Sequence, residues 1–128
     1  MTKYLVAQDI LVIHALIVDE IGGTHGLRDL HLLQSLVERP KSSFGGKEMY
    51  ATVFEKAAVY VESLARYHVF VDGNKRTSIA VAGRFLWMNG YELIASDQDV
   101  ELFVLRVAQK QVVWEDIIEW FKKNSKKS

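Results

Sequence analysis

The chain has no cysteine, a single proline and no net charge, its sixteen Lys and Arg cancelling sixteen Asp and Glu over 128 residues. Without cysteine, disulfides and thiolate metal centres are excluded. A balanced total charge gives no argument for nucleic acid or a membrane surface as partner, so any anion site must be local. No apolar run approaches the ~20 residues of a membrane-spanning helix. Met1 to Asp9 lacks the long apolar stretch of a secretory leader. These absences predict a cytoplasmic protein with no membrane and no direct nucleic-acid contact. Internal repeats, low-complexity segments and linkers are missing too, so 1–128 reads as one domain.

What remains is a chain built to fold around one core. Hydrophobic residues make up 49% and mean hydropathy is +0.02. A chain of this size buries roughly two-thirds of its unfolded surface. Helical spacing dominates. Ile10, Leu11, Ile13, His14, Ile17, Val18 and Ile21 predict a first helix, with Asp9 as N-cap and Gly22-Gly23 as the stop. A second is predicted over 29–38, capped by Asp29 and ended before Pro40. Lys41 to Tyr50 holds Ser-Ser, Gly-Gly and no periodicity, and reads as a loop or short hairpin. A strongly periodic helix over 52–67 follows, then one over 78–89 closed by Asn89-Gly90, a short strand over 91–95, and helices over 100–109 and 114–123. The tail 122–127 reads as a solvated, frayed end. The fold class expected is all-α (mainly α), a helical bundle with antiparallel neighbours.

Between the helices predicted over 52–67 and 78–89 lies the one stretch that reads as chemistry, His68-Val69-Phe70-Val71-Asp72-Gly73-Asn74-Lys75-Arg76-Thr77. A helix start offers unpaired N–H groups and the positive end of the dipole, which suit an anion. Lys75 and Arg76 add full charge, and Arg76 can grip phosphate oxygens through two parallel hydrogen bonds. Gly73 lets backbone approach a phosphate closely, and Asn74 can donate from its amide. Thr77 either caps the helix or touches phosphate. Asp72 either caps the helix or holds a divalent cation brought by a polyphosphate. The His68 imidazole can take a proton from a group attacking phosphorus. Val69 and Phe70 are expected under the loop. The spacing is not that of a Walker A loop.

Other candidates read more plainly. His14, on an apolar helical face, is expected to be a satisfied core histidine, and His25 and His31 lack ligand spacing with His68. Glu55 and Lys56 read as a solvated face. Trp87, Trp114 and Trp120 read as core, while Arg66 and Arg84 fit either a pocket rim or surface ion pairs.

The His68–Thr77 loop resembles the signature of the Fic/Doc superfamily, and in its Asn-Lys-Arg ending that of Doc-type (death-on-curing) toxins. Gly22-Gly23, Gly26-Leu27-Arg28-Asp29, Arg39-Pro40, Phe44-Gly45-Gly46 and Phe54-Glu55-Lys56-Ala57-Ala58 stand in the family's order and spacing, so the resemblance spans roughly residues 3–95. It implies a Fic/Doc-like helical bundle in which 41–50 forms a flap that clamps a target segment as an added strand. It also implies ATP as substrate, with Mg²⁺ on Asp72, His68 as catalytic base, and Gly73, Asn74, Lys75, Arg76 and Thr77 on the nucleotide phosphates.

Most enzymes of this fold transfer AMP to a protein hydroxyl. Their loop reads His-Pro-Phe, then Gly-Asn-Gly-Arg, then a second Arg three residues on. Here Val69 replaces the proline, Lys75 the second glycine and Ile79 the second arginine. Doc-type proteins share these departures, and the resemblance implies a kinase that moves the ATP γ-phosphoryl group to a threonine of elongation factor Tu, blocking translation. An AMP transferase and a catalytically silent binding module are the alternatives. No Ser/Thr-x-x-x-Glu-Gly/Asn self-inhibitory segment is present, so the expected inhibitor is a separate antitoxin protein.

Overall fold

Period-3.6 apolar patterning dominates the chain, and the computed structural model, which describes residues 1–128, is mainly α. The helices are α1 (Ala7–Ile21), α2 (Leu30–Glu38), α3 (Val53–Arg66), α4 (Asn74–Met88), α5 (Asp97–Ala108) and α6 (Trp114–Lys123). A 3₁₀ turn, Arg39–Lys41, follows α2. Strands β1 (Ser43–Phe44) and β2 (Lys47–Glu48) form one antiparallel hairpin, and β3 (Tyr91–Leu93) pairs with β4 (Ser125–Lys127).

α3 is the central element, packed against α4, α5 and α6. Ala57 and Ala58 let neighbouring helices approach, while Val59, Tyr60, Val61 and Leu64 are all buried, so more than one face of the helix is covered. Phe70, Phe85, Leu86, Ile117 and Phe121 complete a single core. Truncating any of its aromatic members to Ala would cost roughly 3–5 kcal/mol.

The end signals act where side chains can reach. Asp29 accepts from the Leu32 amide at 3.0 Å and caps α2, and Thr52 accepts from Glu55 at 3.1 Å and caps α3. Asp9 is not the N-cap of α1. The helix starts at Ala7, and the Asp9 carboxylate reaches back to the Val6 amide at 2.9 Å. A carboxylate in the third helical position can satisfy the N–H of the cap residue, so the same signal marks a start nearer the N-terminus. α4 begins at Asn74, not Ser78, because Gly73 alone makes the turn with a left-handed φ of 78°.

Three further expectations are corrected. The tail is paired, not frayed: Lys122 and Lys123 close α6, and Ser125–Lys127 pairs with β3 in the register Leu93↔Ser125 and Tyr91↔Lys127. Trp87 is exposed, with the Arg84 guanidinium 4.5 Å over its ring, instead of lying in the core. Lys56 is no part of a solvated face. It is 1% exposed, and its ammonium reaches Glu48 at 3.0 Å and the carbonyls of Pro40 and Tyr50. No helix is long and apolar enough to cross a membrane.

Candidate active site

The chain leaves α3 at Arg66 and runs through His68 to Gly73 before α4 begins. This connection is laced to the segment after α1. The amides of Arg28 and Asp29 both donate to the Val69 carbonyl, at 2.8 and 3.0 Å, and the Val71 amide donates to Gly26 at 3.0 Å. Leu27 and Phe70 form the antiparallel bridge between the two segments. The Arg28 guanidinium donates to the His68 carbonyl at 2.9 Å. Val69 and Phe70 are buried beneath the loop, as their apolar side chains predict.

The Asn74 side chain closes the loop. Its Oδ1 accepts from the Phe70 amide and its Nδ2 donates to the Phe70 carbonyl, both at 2.9 Å. Its amide is therefore tied to the loop through both heteroatoms, with one Nδ2 hydrogen left unpaired. Thr77 is a clearer correction. It lies fully buried one turn into α4, so its hydroxyl neither caps the helix nor reaches a surface anion. The helical period carries this residue inward while Lys75 and Arg76 stay outside.

Gly73 has no side chain with which to cap α4, and the amides of Asn74, Lys75 and Arg76 make no hydrogen bond to the protein. These are the orphan donors of a helix start, aligned with the positive end of its dipole. Lys75 and Arg76 form no ion pair and line a cleft of about 310 Å³ between α4 and α5, with Ile79, Val104, Leu105 and one carboxylate, Glu101. A larger cleft of about 400 Å³, between α5 and α6, holds none of the loop residues. Chemistry, not size, selects the first.

Asp72 is exposed beside this helix start. Its Oδ2 accepts from the Thr24 amide at 3.1 Å and its Oδ1 from the Gly73 amide at 2.9 Å. The Thr24 and Gly73 hydrogen bonds, aided by the positive charge of Lys75, hold its carboxyl below the usual aspartate range. Gly23 is required alongside: a Cβ there would sit 2.7 Å from Asp72 Oδ2, and its φ is 116°. No group of three or more His, Asp or Glu is gathered anywhere in the chain. One exposed carboxylate fits a magnesium ion that shares its coordination with phosphate oxygens and water, and does not fit a metal held by protein alone.

His68 is exposed at the head of the loop, and its imidazole makes no hydrogen bond within the chain. His14 lies buried below, stacked on Phe70 at 3.7 Å and bonded to the Asp72 carbonyl at 2.7 Å. It is a satisfied core histidine, but its partner is the candidate site. Arg28, Thr24 and His14 had no role at the site predicted for them. Their contacts join residues about 40 to 58 positions apart, and nothing local in the sequence marks them. Arg66 is not at the pocket rim. It donates to the Val107 and Val112 carbonyls and to Glu62, tying α3 to the α5–α6 connection.

A loop of this kind, folded between two core helices, defines a class, and comparison with known proteins agrees. Residues 4–86 match the Fic/DOC family. Over 101 residues the chain is 43% identical to Toxin Doc of Mycolicibacterium smegmatis, covering 79% of this chain and 75% of that protein. Over 102 residues it is 28% identical to Protein kinase doc of Escherichia phage P1, covering 80% of each. The chain belongs to the Fic/DOC family.

Proposed function

We propose that this protein is a Doc-type toxin acting in the cytoplasm as a protein Ser/Thr kinase, with elongation factor Tu as target and a separate antitoxin as inhibitor. The observation that carries the reading is the uncapped start of α4. Three free amides, Lys75 and Arg76 stand there together, next to the ionised Asp72 and downstream of an exposed imidazole. The names of the relatives, a toxin and a protein kinase, support the same assignment. Ile79 supports phosphoryl over AMP transfer. It occupies the position of the second arginine of AMP transferases and presents an apolar side chain to the cleft.

In this mechanism the His68 imidazole takes the proton of a target Ser or Thr hydroxyl. The hydroxyl oxygen bonds to the γ-phosphorus as the bond from that phosphorus to the β–γ bridging oxygen breaks, releasing ADP. Asp72 would hold magnesium jointly with phosphate oxygens, and the ion would neutralise charge on the β- and γ-phosphates. The α4 amides, Lys75 and Arg76 stabilise the charge developing in transfer, which needs positioning and electrostatics more than covalent chemistry. A protein substrate also suits the loop, beside which Tyr67, Val71 and Leu27 are exposed apolar side chains.

Incubation with Mg·ATP and a cell lysate, read by mass spectrometry, tests this. The expected result is one phosphate gained on Ser or Thr of a single abundant translation factor. A gain of AMP would replace the kinase reading, and no modification would favour a binding module.

A further inference from the structure

We propose that His14 is a positioning residue of the active loop, acting on Asp72 and on the start of α4 through one peptide group; the role in catalysis rests on the function proposed above. The peptide joining Asp72 to Gly73 is gripped at both ends. Its carbonyl accepts from His14 Nε2 at 2.7 Å, and its N–H donates to the Asp72 carboxylate at 2.9 Å. A carbonyl oxygen can only accept, so the imidazole carries its proton on Nε2. The ring is fixed in turn by parallel stacking on Phe70, at 3.7 Å and 6°. Phe70 is itself held by the Asn74 side chain at its amide and its carbonyl.

α1 packs against this peptide: a Cβ on Gly73 would meet His14 Nε2 and Val18 at 3.7 Å, an ordinary van der Waals contact. Rotating the peptide would take the Gly73 N–H off the Asp72 carboxylate and change the left-handed φ of 78° from which α4 starts. The direction of the magnesium-binding oxygen and that of the free helix amides are therefore set by the same hydrogen bond. A buried residue of α1, 58 positions away, controls both.

Two substitutions separate donation from stacking. His14→Gln keeps an N–H donor near the Nε2 position and loses the ring; His14→Phe keeps the ring and loses the donor. Amide exchange at Thr77, whose N–H bonds the Gly73 carbonyl at 3.0 Å, reports the start of α4 without any substrate. The expected result is exchange about tenfold faster in His14→Phe, near parent rates in His14→Gln, and unchanged exchange in the α3 core. Mg·ATP affinity should fall on the order of 10- to 100-fold in His14→Phe and recover in His14→Gln, as for partners that orient a metal ligand. Where the Phe variant does not fold, His14→Leu, which likewise lacks a donor, gives the same contrast. Parent-like Thr77 exchange in the donor-free variant, or equal effects in Gln and donor-free variants, would overturn the proposal. Absence of nucleotide binding in the parent would sink the kinase reading alone, because exchange still decides the role of His14.

Discussion

Asp72 shows how backbone donors prepare a side chain before any ligand arrives. The Thr24 and Gly73 amides favour its charged form, so its folded pKa lies below the unfolded value near about 3.9. Its contribution to stability is full above the unfolded pKa and is lost as pH falls through the folded one, where the unfolded chain binds the proton first. We expect the melting temperature of the parent to exceed that of Asp72→Asn at pH 6 and the gap to narrow as pH drops below about 4. Scanning calorimetry over that range checks this, and a gap that stays constant would contradict it. The carboxylate is therefore already ionised near neutrality. Residue types at this site were legible: His68, Asp72, Gly73, Lys75 and Arg76 all lie on the connection or its helix start. Thr77 and the Asn74 side chain were not, because placing them required knowing that α4 begins at Asn74, which turns Thr77 inward.

The hairpin β1–β2 is the element most exposed to failure. It has only two paired positions per strand, and all four strand residues are exposed. Gly45 and Gly46, at φ 58° and 80°, supply the tight turn that such a hairpin demands. Two-stranded hairpins are marginal alone, so the feet of this one decide its pose. Lys56 holds them, bonding Pro40 ahead of β1, Glu48 within β2 and Tyr50 beyond it. Lys56→Met removes the charge and leaves buried carbonyls unpaired, at a cost of about 1–3 kcal/mol per group. Limited proteolysis should then cleave 42–50 markedly faster, while Glu48→Gln, which keeps both carbonyl contacts, has a smaller effect. Parent-like resistance in Lys56→Met would show that the hairpin is anchored elsewhere. A signal for this lysine was available: Lys56, Tyr60, Ser63 and Leu64 share one helical face, and all four are buried. Its charge hid it, since a buried ammonium with three acceptors is rare.

At the scale of the whole molecule, the helix count and order followed from apolar periodicity and, for α2, from the Asp29 cap. The partnership of β3 with the C-terminal strand did not. Ser-Lys-Lys carries no strand pattern, and its pairing with Tyr91–Leu93 is made by backbone groups any residue supplies. The fold brings α1, the Gly22–Asp29 segment and the α3–α4 connection onto one another, and from that convergence the proposed transfer follows. The most direct test supplies purified elongation factor Tu, Mg²⁺ and ATP labelled at the α- or the γ-phosphate to the parent and to His68→Ala. The account predicts label on a threonine from γ-labelled ATP only. It also predicts a loss of about 10²- to 10⁴-fold in His68→Ala at unchanged melting temperature. Label from the α-position, or equal labelling by parent and variant, would contradict it.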